Sequence, residues 1–331
     1  MPIGSDALTD SLPRLSDTQF FVAPQTDPDA PAIVGFQALH FTEYAPVRQQ
    51  SAEASTEYGG AEAGDVDPTD PEPGDADFSG NLSVRLCLNE IGFWLAYLLG
   101  APTSTDAGGG RHTHVFTSGS ARLPLATIRD STAIQTRTAD AVALGGMSVE
   151  LSRGGGIQTA GMPLSMKGLD VGSRVTTSTA TYTDAPTRLL VPKNNWVTRI
   201  GGTQVGRVLG AALDYSTDLQ TERYVEATDR VGGLFVGDPT LGLRLNLRAV
   251  SEAQRAVFGG FEDPLDIELE GTRPDGTGIV FHAPRVLGPV VFPSADDRLQ
   301  ALNFEGQAAR TDGDTPAPML TVTLTNTVAA Y

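Results

Sequence analysis

The stretch SVRLCLNEIGFWLAYLLG, residues 83–100, reads as a strand that runs straight into a short helix. Val84, Leu86 and Leu88 alternate with Arg85 and Cys87, the period-2 pattern of a strand with one covered face. Asn89 is placed to cap a helix whose Ile91, Phe93, Trp94, Leu95, Leu98 and Leu99 cover most of its surface. Gly100 stops that helix, because glycine enters the left-handed conformation at no steric cost. LGLRLNLRAVSEAQRAVFGG, residues 241–260, repeats the grammar. Leu243, Leu245 and Leu247 alternate with Arg244 and Asn246, Ser251 caps, Val257 and Phe258 are core positions, and Gly259 closes. One unit built twice points to an internal duplication; convergent use of the same strand–helix grammar is the alternative that these patterns leave open.

The rest of the chain is short strands and turns. With 37 Gly, 22 Pro and 7% aromatics in 331 residues, punctuation is frequent and elements are short, which favours a β-rich architecture. The length allows two domains, each with its own core. A net charge of −17 argues against binding nucleic acid through phosphates, which needs clustered Lys and Arg. One cysteine, Cys87, excludes an intramolecular disulfide and a cysteine-rich zinc site. MPIGSDALTDSLPRL lacks the basic start and apolar run of a signal peptide, and no stretch approaches transmembrane length.

Residues 1–31 read as an N-terminal arm, 32–192 as a first module and 193–331 as a second. Residues 51–77 hold no Lys or Arg but nine acids among Pro and small residues, which predicts a mobile, exposed loop. Asp65, Asp67, Asp70 and Glu72 have a calcium-like spacing but lack the central Gly and late Glu of a full loop. Met147, Val149 and Leu151 oppose Ser148 and Glu150. Pro192 with Asn194 and Asn195 marks a boundary turn. Leu265, Ile267 and Leu269 oppose Asp266, Glu268 and Glu270, and Pro274–Gly276 is a hairpin turn. Leu320, Val322 and Leu324 alternate with threonines near the end.

Chemistry-bearing constellations are sparse. RHTHVF puts His112 and His114 on one strand face, a hydrogen-bonding pair more readily than a metal site, since no cysteine stands near. SRGGGIQ and DAGGGRH are glycine-rich without the strand-to-helix setting of a phosphate loop. No nucleophile elbow or Ser/His/Asp grouping occurs, so no enzyme and no cofactor is expected. Amphipathic strands with one hydrated face instead suit a sheet that assembles through its edges.

The order of FSGNLSVRLCLNEIGFWLAYLLG, HTHVFTSGSARLPLATIRD, GGTQVGRVLGAALDYSTD, the 241–260 stretch, PLDIELEGTRPDGTGIVFHAPRVL and MLTVTLTN resembles the tail tube proteins of long-tailed bacteriophages over most of residues 78–326. The resemblance implies a mainly β fold: two tandem β-sandwich or barrel-like modules, each with a short helix packed on its sheet. It implies a structural virion protein that self-assembles into stacked rings, the conduit for viral DNA ejection. The implied partners are other copies of the chain, in rings of three or six, together with tape-measure, tail terminator and distal tail or baseplate proteins, with no membrane anchoring. The implied location is the virion tail, assembled in the host cytoplasm.

On that reading Asp266, Glu268 and Glu270 are candidates to line the lumen, where a neutral or negative surface lets DNA slide. Gly108, Gly109, Gly110, Arg111, His112 and His114 are candidates for an inter-ring loop, and the arm and TVAAY (327–331) are candidates to reach a neighbouring ring. Phe93, Trp94, Leu98, Val257 and Phe258 pack the helices. The alternatives are another ring-forming tail component, such as a terminator or distal tail protein, and a soluble β-sandwich module that binds carbohydrate or protein.

Overall fold

A computed structural model of the chain describes residues 18–53, 72–120, 122–132, 135–152, 161–168, 170–171, 175–176, 181–206, 208–222, 233–248, 258, 260–292, 294–296, 299–311 and 316–331. The N-terminal half holds β1 (Gln19–Gln25), β2 (Phe36–Ala38), β3 (Glu43–Glu53), β4 (Glu72–Arg85), the helix α1 (Leu88–Leu99), β5 (Thr103–Gly108) and β6 (Arg111–Thr117). It continues through β7 (Leu125–Ser131), β8 (Gln135–Ser152), β9 (Gly161–Gly168), β10 (Asp170–Val171), β11 (Val175–Thr176) and β12 (Tyr182–Thr183). After a 3-10 turn at Lys193–Asn195 come β13 (Trp196–Ile200), β14 (Thr203–Gln204), β15 (Val208–Ser216), β16 (Leu219–Glu222), β17 (Gly233–Val236) and β18 (Thr240–Arg248). The last strands are β19 (Leu265–Thr272), β20 (Gly278–Leu287), β21 (Ser294–Asp296), β22 (Leu299–Ala308) and β23 (Thr321–Asn326). The protein is mainly β, as its punctuation predicts.

Alternating side chains sort these strands into layers. A long antiparallel sheet runs in the order β3–β4–β9–β8–β15–β18–β22–β21. On β18, Leu241, Leu243, Leu245 and Leu247 are buried while Arg244 and Asn246 face out, so one face is core and the other open. A second sheet, β14–β13–β19–β20–β23–β6–β5, covers the core face. Its Leu269, Phe281, Val322 and Leu324 share one apolar cluster with Leu82, Val149, Leu245 and Phe304 of the first. The end of β20 bends over to pair with β22. The N-terminal half of β8 leaves the long sheet to pair with β7, which pairs with β1.

The strand order on either side of the β8–β15 joint is the same. Each four-strand half of the long sheet begins with an antiparallel pair (β3–β4, β15–β18) whose second strand pairs with the latest strand of those four in the chain (β9, β22), beside the one that precedes it (β8, β21). Both first hairpins also extend beyond the long sheet at the same end, through Gln49–Ala52 against Pro73–Asp77 and through β16–β17.

α1 fits between the sheets, against β8, β6 and β23. Trp94, Leu95 and Leu98 are at most 1% exposed, each worth about 1.5–3 kcal/mol of burial. Phe93 stands half-buried against Tyr331, and Phe258 packs on Phe304 with ring centroids 5.0 Å apart. Gly100 follows at φ +98° and ψ 177°, a positive-φ extended conformation open to glycine rather than the left-handed one expected, and its N–H donates to Ala96 O at 3.0 Å.

Several expectations change. The strand ends at Arg85 and Cys87, not Asn89, is the N-cap. Asn89 instead turns its amide to Thr187 O (2.9 Å) and Thr327 Oγ1 (3.1 Å). The arm expected over 1–31 contains β1, whose Phe20, Phe21, Val22 and Ala23 are all buried. Residues 51–53 and 72–77, expected in the acidic loop, belong to the β3–β4 hairpin, because backbone pairing satisfies the ladder whatever the side-chain charge. Tyr331, expected to reach another ring with the rest of TVAAY, packs back onto α1. The acidic positions Asp65, Asp67 and Asp70, and the expected second helix with its Ser251 cap, Val257 and Gly259, lie outside the described residues.

Candidate functional site

The open face of the long sheet is built from the polar positions of the alternating strands. β8 turns Ser148 and Glu150 outward, β18 Arg244 and Asn246, and β22 Asn303 and Glu305. At the centre, Arg244 donates to Asp214 Oδ2 at 2.8 Å, and Asp214 Oδ1 also accepts the Ser148 hydroxyl. Asp214 raises the guanidinium above its ordinary range first, with smaller contributions from Glu305 and Glu150. The cation is therefore paired with Asp214 and has Glu305 directly opposite it on β22, so its charge is largely satisfied within the sheet. Lys167, half-buried, is likewise turned to a carbonyl, Leu219 O, at 2.7 Å.

The edges complete the site. β3 pairs with β4 alone and β21 with β22 alone among the described residues. Pro46 within β3 fits an edge strand, the setting in which a missing N–H is tolerated.

The sequence-predicted residues fall elsewhere. Asp266, Glu268 and Glu270 stand on β19 in the second sheet, each beside a basic side chain. Asp266 contacts His282 Nε2 at 2.8 Å, Glu270 pairs with Arg199, and Glu268 lies 3.8 Å from the same guanidinium. Gly108, Gly109 and Gly110 form the exposed β5–β6 turn, all at positive φ, and Arg111 leans from it to Asp275 O at 3.0 Å. His112 is half-buried on β6, whereas His114 is wholly buried. His114 lies between Ser104 Oγ (2.7 Å) and Val328 O (2.9 Å), with burial lowering its pKa. Among the described residues no group of three His, Cys, Asp or Glu side chains is arranged to hold a metal, and no helix is long and apolar enough to cross a membrane.

Sequence reasoning missed Asp214 and Arg244 as a pair and the two edges. The signal for Arg244 was present in the Leu243–Leu247 alternation, but its partner comes from a strand 30 residues away.

A sheet that is polar on one face, apolar on the other and, among the described residues, unpaired along both edges is the anatomy of a structural, sheet-building subunit. A family model described as phage tail tube protein matches residues 16–325, so the chain belongs to that family, a structural component of the virion tail. No curated protein matches it.

Proposed function

We propose that the chain is a self-assembling tail tube subunit made of two tandem modules, three copies of which close a ring. The rings stack into the conduit through which viral DNA leaves, meeting tape-measure, terminator and distal tail proteins along the way. The observation that carries this reading is the repeated strand order on the two sides of the β8–β15 joint, with edges at both ends that have no second partner strand among the described residues. Those edges belong to different halves, so their contact is heterologous and a suitable rotation closes it into a ring.

Three copies contribute twenty-four strands. At about 4.8 Å per strand the circumference is about 115 Å and the diameter about 37 Å before strand tilt widens it, a bore suited to a duplex. On this reading the lumen is lined by the open face around Ser148, Asp214, Arg244 and Glu305 rather than by Asp266, Glu268 and Glu270. The hairpin extensions at one end and the Gly108–Gly110 turn are the parts available for ring-to-ring contact. Electron microscopy of the purified protein over a concentration series tests this. Hollow tubes or stacking rings are expected; separate monomers at every concentration would refute self-assembly.

A further inference from the structure

The joint inside the chain, β8 against β15, has counterparts in the two outer edges of the long sheet. Matching ladders superpose the halves by constant offsets. Tyr44, opposite Leu82, corresponds to Ala211, opposite Leu245; Leu164 beside Leu82 corresponds to Phe304 beside Leu245. Ala143, opposite Lys167, corresponds to Leu287, opposite Gln307. The same offsets carry Met147 to Val291, and both are buried. They also carry a surface hollow at Val47, Ser79–Asn81 and Gly145 onto a hollow at Asp214, Gly242–Arg244 and Pro289. The first hollow, about 550 Å³, is walled on its far side by Ser216, Asp218 and Leu219, from the module that follows. The second stands beside β21, which pairs with β22 alone among the described residues.

At the internal joint Ser148 is directly opposite Asp214. By the offsets Ser148 becomes Phe292 and Asp214 becomes Val47. These two are 70% and 47% exposed, and Val290, on the same side as Phe292, is 50% exposed. Large apolar side chains thus stand at the positions that the internal joint fills with a polar pair, one on each free edge.

We propose that the edge at residues 288–292 and 294–296 of one copy joins β3 of a second copy in the register that sets Phe292 on Val47. This rests on the ring reading above and assigns its contact. Burying an apolar pair where the internal joint uses Ser148 and Asp214 makes the two joints chemically distinct, so an edge of one kind does not accept the other.

The test uses the full chain. Thr217 N donates to Gly145 O, which makes Ser148 and Asp214 a non-hydrogen-bonded pair, the closer kind, with the Cβ spacing a disulfide needs. The double substitution Val47→Cys with Phe292→Cys is therefore expected to give disulfide-linked dimers and closed trimers in assembled material, reversed by reductant. Val47→Cys with Glu305→Cys, the second position lying inside the sheet, is expected to give none. Phe292→Asp is expected to raise the concentration needed for assembly at least tenfold with an unchanged thermal midpoint, and added Val47→Lys is expected to restore assembly. Tubes that form without the 47–292 link, or a Phe292→Asp chain that assembles like the parent, would overturn the seam and leave the tube reading standing. A parent chain that never assembles would overturn both.

Discussion

Gly92 and Tyr331 form one lock, and replacing the glycine should force it open. A Cβ at Gly92 would stand 2.1 Å from Tyr331 Cζ, far inside contact distance, so the Gly92→Ala chain must expel the ring. What is lost is the edge-on packing of Tyr331 against Phe93 and His114, at 4.9 and 4.8 Å between centroids, and its hydroxyl's contacts with Asn326 and Asn89 O. Losing a packed aromatic costs about 3 kcal/mol, at the low end because Tyr331 is half-buried. Removing a glycine from within the helix returns about 1 kcal/mol. The net loss of about 2 kcal/mol corresponds to a fall of about 3 °C in the thermal midpoint for a chain of this length. The check is a double-mutant cycle read by calorimetry. In a Tyr331→Ala background the slot is empty, so Gly92→Ala should reverse sign and stabilise by about 1 kcal/mol. The same sign and size in both backgrounds would refute the lock.

Asp214→Ala should release Arg244 onto the open face. The unassembled chain should then be retained by duplex DNA at low salt more strongly than the parent, with a salt slope steeper by about 0.9 for each new phosphate contact; equal retention would show that the pairing does not mask the cation. Burial pushes the phenols of Tyr44, Tyr97 and Tyr331 above their ordinary range and Tyr215 up to about 12. Above pH 10 the unfolded chain gives up these protons before the folded one does. Stability should therefore be level up to about pH 9 and then fall by up to about 1.4 kcal/mol per pH unit for each tyrosine; urea titrations from pH 8 to 12 check the slope. Cys87 is buried, with its thiol raised first by desolvation and then by Glu90, so it should resist a maleimide in the native chain and react on unfolding.

Much of this architecture was legible in the sequence wherever a strand has one wet face. The alternations at Met147–Leu151, Leu243–Leu247, Leu265–Leu269 and Leu320–Leu324 place core and surface side chains on the correct sides. The turn at Pro274–Gly276 forms as read, with Asp275 accepting from Thr277 N and Oγ1 and Gly276 at φ +79°. β1 was not legible because Phe20 and Phe21 are both buried, so period 2 vanishes. The acids at Asp266–Glu270 show how far alternation reaches. It identifies a hydrated face but not the sheet that carries it, and only the tertiary pairing assigns β19 to the second sheet. The edges were illegible for the same reason, since an unpaired strand and a paired one share one pattern.

The central claim is tested most directly by the rotational symmetry of an assembled ring, imaged by electron cryomicroscopy. The account predicts three chains per ring, each giving eight consecutive strands to one closed barrel with β21 of one copy beside β3 of the next. A ring of six chains, or one in which those two edges stay apart, would contradict it.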